Sequence, residues 1–324
     1  MKAAAYTRIG GPEVLEYVDV PEPEVRPGGV LVAIEAVSIQ GGDLLHRSGG
    51  IMTTNPHVVG YQAAGTITAV GAGVEGLTVG QRIVATMGHG SHAELASVPA
   101  QSVYAIPDGM SIEDAAGVPI EFGTADDCLF EFGHLQAGES VLIQAGASGV
   151  GLAGIQLAKA AGASLVLATA SSDERLERLR EYGMDHGINY VATANVGAAV
   201  RELTDGKGVD LVVDSVGGRT LETSIDALAY RGRLSWVGRA SRETEPPEIW
   251  PLLPKNASLT GVFLGAEMAQ NRARTRPMIE RLLQRVASGE LRAVVDRVFP
   301  LSEAAEAHHY IESRQAFGRV ILRP

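Results

Sequence analysis

The chain has 324 residues, of which 45% are hydrophobic and 20% charged, and its formal net charge is −11. The length exceeds one ordinary hydrophobic core and predicts two domains. The composition is that of a turn-rich globular α/β protein and excludes a solenoid or a low-complexity chain. The negative charge disfavours nucleic acid as a partner by repulsion.

The first part of the chain, to about residue 118, alternates short extended runs with Gly and Pro, which predicts a small β-rich, barrel-like domain. From Ser111 onwards helices and strands alternate, as in a doubly wound parallel sheet. The predicted helices span 121–132, 152–161, 174–182, 197–204 and 220–229, and the predicted strands span 141–143, 165–170, 186–190, 209–214, 232–237 and 259–263. Helices at 276–288 and 302–313 and extended segments at 297–300 and 318–322 then return the chain to the first domain. We therefore predict a β domain at 1–120 completed by 266–324, and a parallel-sheet domain at 121–265.

The single cysteine, Cys128, excludes an internal disulfide and favours a reducing compartment. The N-terminal stretch reads as a strand rather than a signal peptide, and no apolar run approaches the ~20 residues of a membrane span. We therefore expect a soluble cytoplasmic protein. Cys128 is flanked on a predicted helix by Asp126 and Asp127, whose charges would raise its pKa, so packing is the better interpretation than nucleophilic chemistry.

The stretch 140–163 holds a buried strand, a glycine turn and a helix in immediate succession. Glycines there allow backbone amides to approach a pyrophosphate at the positive end of the helix. Of the two possible glycine registers, 149/151/154 and 146/148/151, we prefer the second. It starts the turn where the strand ends and leaves Gly154 to pack the helix against the sheet. The alternative is a tight turn that binds nothing. The predicted pyrophosphate-binding residues are Gly146, Ser148, Gly149, Val150 and Gly151.

The end of the next strand, 165–170, indicates which nicotinamide cofactor is preferred. An NAD site would place a carboxylate there to bind the ribose hydroxyls. The chain instead carries Ser171 and Ser172, followed by Arg175. Hydroxyls and a guanidinium suit a 2′-phosphate, so the sequence predicts NADPH. In the alternative interpretation, Ser172 only caps the following helix and Arg175 is a solvated first-turn residue.

Further motifs are spread over nearly the whole chain: 59–67 (VGYQAAGTI), 70–74 (VGAGV), 79–83 (VGQRI), 145–151 (AGASGVG), 214–218 (DSVGG), 255–261 (KNASLTG) and 318–322 (GRVIL). In these motifs the chain resembles the medium-chain dehydrogenase/reductase superfamily, and within it the zinc-free quinone oxidoreductase branch related to zeta-crystallin. The resemblance implies a GroES-like barrel domain, a Rossmann domain, hydride transfer from NADPH, and a homodimer or homotetramer.

The resemblance also bears on zinc. Alcohol dehydrogenases of this superfamily carry a Cys before an Asp in the first domain, and a His-Glu pair after a later Gly. Here Gln40 comes before Gly41, Gly42 and Asp43, and the later pair reads Tyr61-Gln62, so the thiolate, imidazole and carboxylate that bind catalytic zinc are missing. The structural-zinc lobe with its four cysteines is also absent.

The eight histidines are scattered along the sequence. The closest sets are His89 with His92 in a predicted loop, and His308 with His309, which are adjacent on a helix and so face different ways. Neither set has the spacing of a metal site, and we predict no bound metal.

Without a Lewis acid, an alcohol is difficult to oxidise. Quinones and α,β-unsaturated carbonyls delocalise the arriving negative charge themselves, so the protein need only align the reactants, exclude water and donate a hydrogen bond. The predicted reaction is therefore NADPH-dependent reduction of a quinone or enone. One alternative is an enoyl-thioester reductase, although Ile51 stands near where such enzymes of the superfamily carry a proton-donating Tyr. Another is a crystallin-like or partner-binding protein that holds NADPH without turnover.

The resemblance points to three residues near the nicotinamide. Gln40 stands where the branch often has an Asn, and could orient the carboxamide or substrate carbonyl, or only cap its turn. Tyr61 could donate a hydrogen bond to a developing enolate, or form an aromatic wall for a flat substrate. Thr124 matches a Thr beside the nicotinamide, or is a helix-internal Thr bonded to its own backbone.

More distant candidates follow from the same resemblance. Tyr190 and Arg314 match residues that gather with the basic residue at Arg175 around the 2′-phosphate, although Arg314 at a helix end also suits the helix dipole. Strand ends of a Rossmann sheet form the cofactor crevice. The residues expected to border the nicotinamide there are Val237, Gly238, Phe263 and Gly265.

Overall fold

The computed structural model describes all 324 residues, which divide into two compact units. The first comprises Met1–Ile120 and Pro277–Pro324, and the second Glu121–Arg276. The return to the first unit falls at Pro277, later than the predicted residue 266. The reason is an ion-pair cluster within the second unit, where the Arg274 guanidinium contacts Asp127 at 2.6 Å and Glu267 at 2.8 Å.

The elements are numbered here in chain order. The strands are β1 Lys2–Tyr6, β2 Glu16–Asp19, β3 Gly29–Ser38, β4 His57–Val58, β5 Gln62–Val70, β6 Arg82–Thr86, β7 Leu95–Pro99, β8 Val103–Ala105, β9 Ser140–Ile143, β10 Leu165–Ala170, β11 His186–Asn189, β12 Val209–Asp214, β13 Leu228–Trp236, β14 Ser258–Gly261, β15 Val295–Pro300 and β16 Arg319–Arg323. The α-helices are α1 Gly41–Gly49, α2 Ile112–Ala116, α3 Pro119–Asp126, α4 Gly149–Ala160, α5 Asp173–Arg180, α6 Val196–Leu203, α7 Arg219–Ala227, α8 Leu252–Lys255, α9 Leu264–Gln270, α10 Arg272–Ala287 and α11 Ala304–Glu312. No helix combines the length and the apolar character that a bilayer span requires.

The first unit is built on two sheets. One has the order β2-β1-β4, and the other has the order β15-β16-β3-β5-β6-β8 with β7 also paired to β3. Strand β3 alternates buried and half-buried residues, with Val30, Val32 and Ile34 facing the core. This alternation is typical of a sheet that is covered on one face. The predicted β-rich domain is confirmed.

The second unit holds a six-stranded parallel sheet in the order β11-β10-β9-β12-β13-β14. Counted from β9 this is the order 3-2-1-4-5-6 of a dinucleotide-binding sheet, whose order reverses at β9. Residues 141–143 of β9 are fully buried because both neighbouring strands and both faces cover them. The predicted doubly wound sheet is confirmed.

Several helical segments differ from the prediction, and helices α1, α2 and α8 were not predicted. The predicted helix 121–132 is α3 followed by a π-helical turn at Asp127–Glu131. Helix α9 and the first turn of α10 were not predicted, because this stretch has no side-chain cap and little apolar periodicity. Contacts of Arg274, rather than local sequence signals, hold this stretch in place.

Candidate cofactor and active site

The geometry of the turn between β9 and α4 is that expected for the preferred glycine register, 146/148/151. Ser148 is the N-cap of α4, and its hydroxyl accepts a hydrogen bond from the Gly151 amide at 3.0 Å. A Cβ built on Gly151 would overlap the Ala145 carbonyl oxygen and lie 2.7 Å from that of Gly146. A Cβ on Gly154 would meet only Ile143, at 3.4 Å. The structure therefore confirms that Gly151 allows the turn to close and that Gly154 packs the helix against the sheet.

This turn fits a pyrophosphate. Helix α4 is 12 residues long, and its first-turn amides include those of Gly149 and Val150. Amides at the start of a helix have no intrahelical acceptor and lie at the positive end of the dipole. An anion placed beyond Ser148 would therefore receive both hydrogen bonds and favourable charge.

Of the residues predicted around the 2′-phosphate, Ser171, Ser172 and Arg175 follow β10, and Tyr190 follows the neighbouring strand β11. Ser172 caps α5, accepting a hydrogen bond from the Arg175 amide at 3.3 Å. The Tyr190 amide donates to the Ala170 carbonyl at 3.1 Å, which brings Tyr190 beside Ser171. The cap of the alternative interpretation is therefore present, and because it uses only the backbone amide of Arg175, the role of the Arg175 guanidinium stays a prediction. Arg314 is exposed and belongs to the first unit, so its convergence with Arg175 stays a prediction.

The ends of β12, β13 and β14 form one continuous edge. The Val237 amide donates to the Asp214 carbonyl at 2.8 Å, and a Cβ on Gly238 would lie 2.7 Å from the Ser215 carbonyl oxygen. Phe263, just beyond β14, is 74% exposed, and Gly265 follows in α9. This edge is where ligands bind in open α/β sheets. Thr124 lies buried in α3 of the same unit.

Gln40 and Tyr61 both lie at the start of α1. Gln40 is the N-cap residue: its backbone amide donates to an Asp43 carboxylate oxygen at 2.8 Å, and its side-chain amide donates to the Ser38 carbonyl at 3.3 Å. The Tyr61 hydroxyl oxygen lies 2.6 Å from the position of a Cβ on Gly42. The Tyr61 ring therefore packs on the first turn of α1, which glycine alone leaves open. Gln40 is buried and Tyr61 is half-buried.

The position after Tyr61 has a structural role that the sequence did not reveal. Gln62 is fully buried, donates its side-chain amide to the Ala116 carbonyl, and accepts a hydrogen bond from the Ile120 amide at 2.7 Å. The nitrogen and the oxygen of its side-chain amide therefore link β5 to the end of α2 and the start of α3.

No group of three or more His, Cys, Asp or Glu side chains is arranged to hold a metal ion. The residues at the zinc-ligand positions of the superfamily do not fit zinc.

Histidines that are far apart in sequence come together in the first unit. The His57 ring stacks on His46 at 4.8 Å between centroids and lies 5.0 Å from His89. His92 and His308 are fully buried, with their Nε2 atoms 3.0 Å apart. Burial lowers the pKa of His57 to about 4 and that of His92 to about 3, and it lowers the pKa of His308 as well. The histidines that are scattered along the sequence thus form two groups in three dimensions, and no local sequence signal indicates these groups.

The interpretation of Cys128 as a packing residue is confirmed. The side chain is buried within the π-helical turn, and burial, with a further contribution from Asp127, raises the pKa of its thiol. The turn is held to the sheet by Ser235, whose hydroxyl donates to the Cys128 carbonyl at 2.7 Å. A thiol in this environment stays protonated and is a poor nucleophile.

Comparison with known proteins agrees with this architecture. The family model described as an alcohol dehydrogenase GroES-like domain matches residues 26–108, and the one described as a zinc-binding dehydrogenase matches 149–284. A quinone oxidoreductase of Pseudomonas aeruginosa is 35% identical over 326 residues, which cover 100% of this chain and 99% of that protein. A 2-haloacrylate reductase of a Burkholderia species is 34% identical over 331 residues, covering 99% and 98%. The Escherichia coli quinone oxidoreductase, solved in complex with NADPH, is 28% identical, covers 100% of both chains and has a TM-score of 0.94.

The chain belongs to the medium-chain dehydrogenase/reductase superfamily, in its quinone oxidoreductase branch. The resemblance seen in the sequence motifs is thereby confirmed. The predicted fold class, a GroES-like barrel domain with a Rossmann domain, is confirmed as well.

Proposed function

We propose that the protein is an NADPH-dependent reductase that transfers a hydride to a quinone or another α,β-unsaturated carbonyl compound without zinc. The observation that carries the proposal is the glycine turn before α4, followed at the end of β10 by two hydroxyls and Arg175 in place of an acid. The quinone oxidoreductase and 2-haloacrylate reductase relatives support the reductase activity, and the NADPH complex of the E. coli protein supports the cofactor. Quinones and 2-haloacrylates, after which these two relatives are named, are both electron-poor acceptors.

NADPH would supply the hydride. The protein's part is to bind the pyrophosphate on the first turn of α4, to orient the reactants, and to stabilise charge on the acceptor oxygen. Gln40 is held at the N-cap of α1, where its amide would orient a carboxamide or carbonyl group. Tyr61 on the same turn would donate a hydrogen bond to the oxygen that gains negative charge.

Tyr61→Phe is expected to lower kcat about 10- to 100-fold while leaving the KM for NADPH unchanged, because it removes a hydrogen bond to a charged oxygen worth about 1.5–3 kcal/mol. Steady-state kinetics at saturating NADPH would measure this. An unchanged kcat would show that Tyr61 serves only as an aromatic wall.

The activity itself is tested by following NADPH fluorescence after addition of 1,4-benzoquinone, and separately of an enone and an enoyl thioester. We expect rapid consumption of NADPH with the quinone or the enone, and the same rate after dialysis against a metal chelator. Tight NADPH binding with no consumption across the panel would favour the non-catalytic alternative. Preference for the thioester would favour an enoyl-thioester reductase.

Arg175→Ala is expected to raise the KM for NADPH about tenfold and to leave the KM for NADH unchanged, because a charge-assisted hydrogen bond to the 2′-phosphate is lost. Arg178→Ala is the matched control, since it removes the same charge from an exposed position on the same helix. Equal changes for the two cofactors would contradict the assignment of Arg175.

We further propose a cytoplasmic homodimer or homotetramer acting on a small molecule. Strand β14 is an edge of the second sheet, and Tyr230, Trp250 and Leu253 are exposed in the same unit. Open strand edges and exposed apolar side chains favour association with another copy. Sedimentation as a monomer at micromolar concentration would contradict the oligomer.

A further inference from the structure

A chain of hydrogen bonds runs through the interior of the second unit, behind the glycine turn. It begins at the Ala145 amide, which donates to the Thr169 hydroxyl at 3.1 Å, and this hydroxyl donates to the Gln144 side-chain oxygen at 2.8 Å. The Gln144 side-chain nitrogen donates to the Ser224 hydroxyl at 3.0 Å, and that hydroxyl donates to Asp214 at 2.7 Å. All four side chains are at least 96% buried.

With Asp214 ionised, the direction of the chain has one solution. The second oxygen of the Asp214 carboxylate accepts from the Val216 and Gly217 amides at 2.8 and 2.9 Å. An ionised carboxylate only accepts hydrogen bonds, so the Ser224 hydroxyl donates its proton to Asp214. The Ser224 oxygen then accepts a hydrogen bond from the Gln144 side-chain nitrogen. The Gln144 oxygen then faces Thr169, whose proton it receives. The Thr169 oxygen is thereby left to accept from Ala145.

Both ends of the chain lie at the proposed cofactor site. Ala145 has a φ of 52°, a conformation that costs free energy for a residue other than glycine, and its amide is held by Thr169. At the other end, the turn at Gly217 packs on the Gly238 carbonyl, 3.0 Å from the position of a Cβ on Gly217. The chain thus connects the pyrophosphate turn to the edge predicted to border the nicotinamide.

We propose that Thr169, Gln144, Ser224 and Asp214 are positioning residues for the cofactor, which hold the strained turn at Ala145 in its binding conformation before NADPH arrives. This inference rests on the proposed function. None of the four was a candidate in the sequence, and none needs to touch the cofactor. Preorganisation of this kind increases the affinity for NADPH, because the turn is already ordered in the free protein and does not have to be ordered when the cofactor binds.

The test is the Kd for NADPH of Thr169→Val, measured by fluorescence on folded protein well below its unfolding temperature. Valine keeps the shape and removes the hydroxyl, leaving the Ala145 amide and the Gln144 oxygen without their partner. We expect the Kd to rise about tenfold and kcat at saturating NADPH to stay within about twofold. Thr169→Ser, which keeps the hydroxyl, is the matched control and should bind nearly as well as wild type.

A coupling measurement separates positioning from a purely structural role. Glycine adopts positive φ without strain, so Ala145→Gly should recover most of the affinity that Thr169→Val loses. If Thr169→Val does not fold, Ser224→Ala breaks the chain at its other end and should show the same loss and the same recovery.

The outcomes are distinct. Wild-type protein that fails to bind NADPH would overturn the proposed function itself. Wild-type binding with an unchanged Kd in the folded variants, or a loss that Ala145→Gly does not reduce, would overturn the positioning role alone.

Discussion

Gly151→Ala is expected to raise the Kd for NADPH about a hundredfold and to destabilise the fold by about 3 kcal/mol. The new Cβ would overlap the Ala145 carbonyl oxygen and crowd that of Gly146, both of which are backbone atoms. The turn must therefore shift, and overpacking of this kind costs about 1–3 kcal/mol. Loss of a hydrogen bond to a charged phosphate oxygen costs about 1.5–3 kcal/mol, and about 2.7 kcal/mol corresponds to a hundredfold change in Kd. Fluorescence titration with NADPH and chemical denaturation would measure the two effects.

Gly154→Ala, one turn along the same helix, is the matched control. Its Cβ would meet only Ile143 at an ordinary contact distance of 3.4 Å. Alanine also has the higher helix propensity, by about 1 kcal/mol. We expect NADPH binding to be unchanged and stability to be equal or slightly higher. If both variants bind NADPH like wild type, the pyrophosphate does not sit on this turn.

The protein is expected to lose stability steeply as the pH falls below about 6.5, the ordinary pKa of histidine. Burial lowers the pKa of both His92 and His308. Below pH 6.5, the unfolded chain therefore binds protons at these two side chains, whereas the folded protein keeps them neutral. If both rings were protonated, an N–H group of each would point at the other across the 3.0 Å between the two Nε2 atoms. The stability contributed by the two neutral rings is therefore complete above pH 6.5. It is lost at about 1.4 kcal/mol per pH unit for each group, or about 4 kcal/mol in total at pH 5.

That loss is large beside the total stability of about 5–15 kcal/mol of an ordinary protein. His57 acts in the same direction, whereas the raised pKa values of buried Asp127 and Asp214 act in the opposite one. Denaturation of His92→Asn between pH 7 and pH 5 isolates the pair, because the carboxylates are the same in both proteins. The slope should fall by at least about 1.4 kcal/mol per pH unit. His309→Asn, on the exposed side of α11, should keep the wild-type slope, and equal slopes for all three proteins would contradict the assignment.

The predictions from sequence succeeded where the signal was local. Strands β10 and β12 have the predicted bounds, and the helices that were predicted in the second unit begin and end within a few residues of their predicted bounds. Apolar runs, turn glycines and capping hydroxyls act between neighbours in the chain, so a single sequence reveals them. The missed helix α9 carries no such signal, and Arg274 secures it from the next helix.

Within the candidate site, the same division appears between Ser148 and Thr169. The serine was predicted because it stands next to the helix that it caps. The threonine was overlooked because its importance comes from Ala145 and Gln144, more than twenty residues earlier in the chain. Gln62 is a similar case, since its two partners lie more than fifty residues away.

The amino-acid sequence alone determined the fold class, the glycine turn and the residue types that favour NADPH, because each depends on the spacing of near neighbours. Tertiary structure alone decided which buried polar groups meet: His92 with His308, and Thr169 with Asp214 through Gln144 and Ser224. Buried polar groups must find hydrogen-bond partners. Which partner each one finds depends on how distant segments pack together, and no local pattern records that packing.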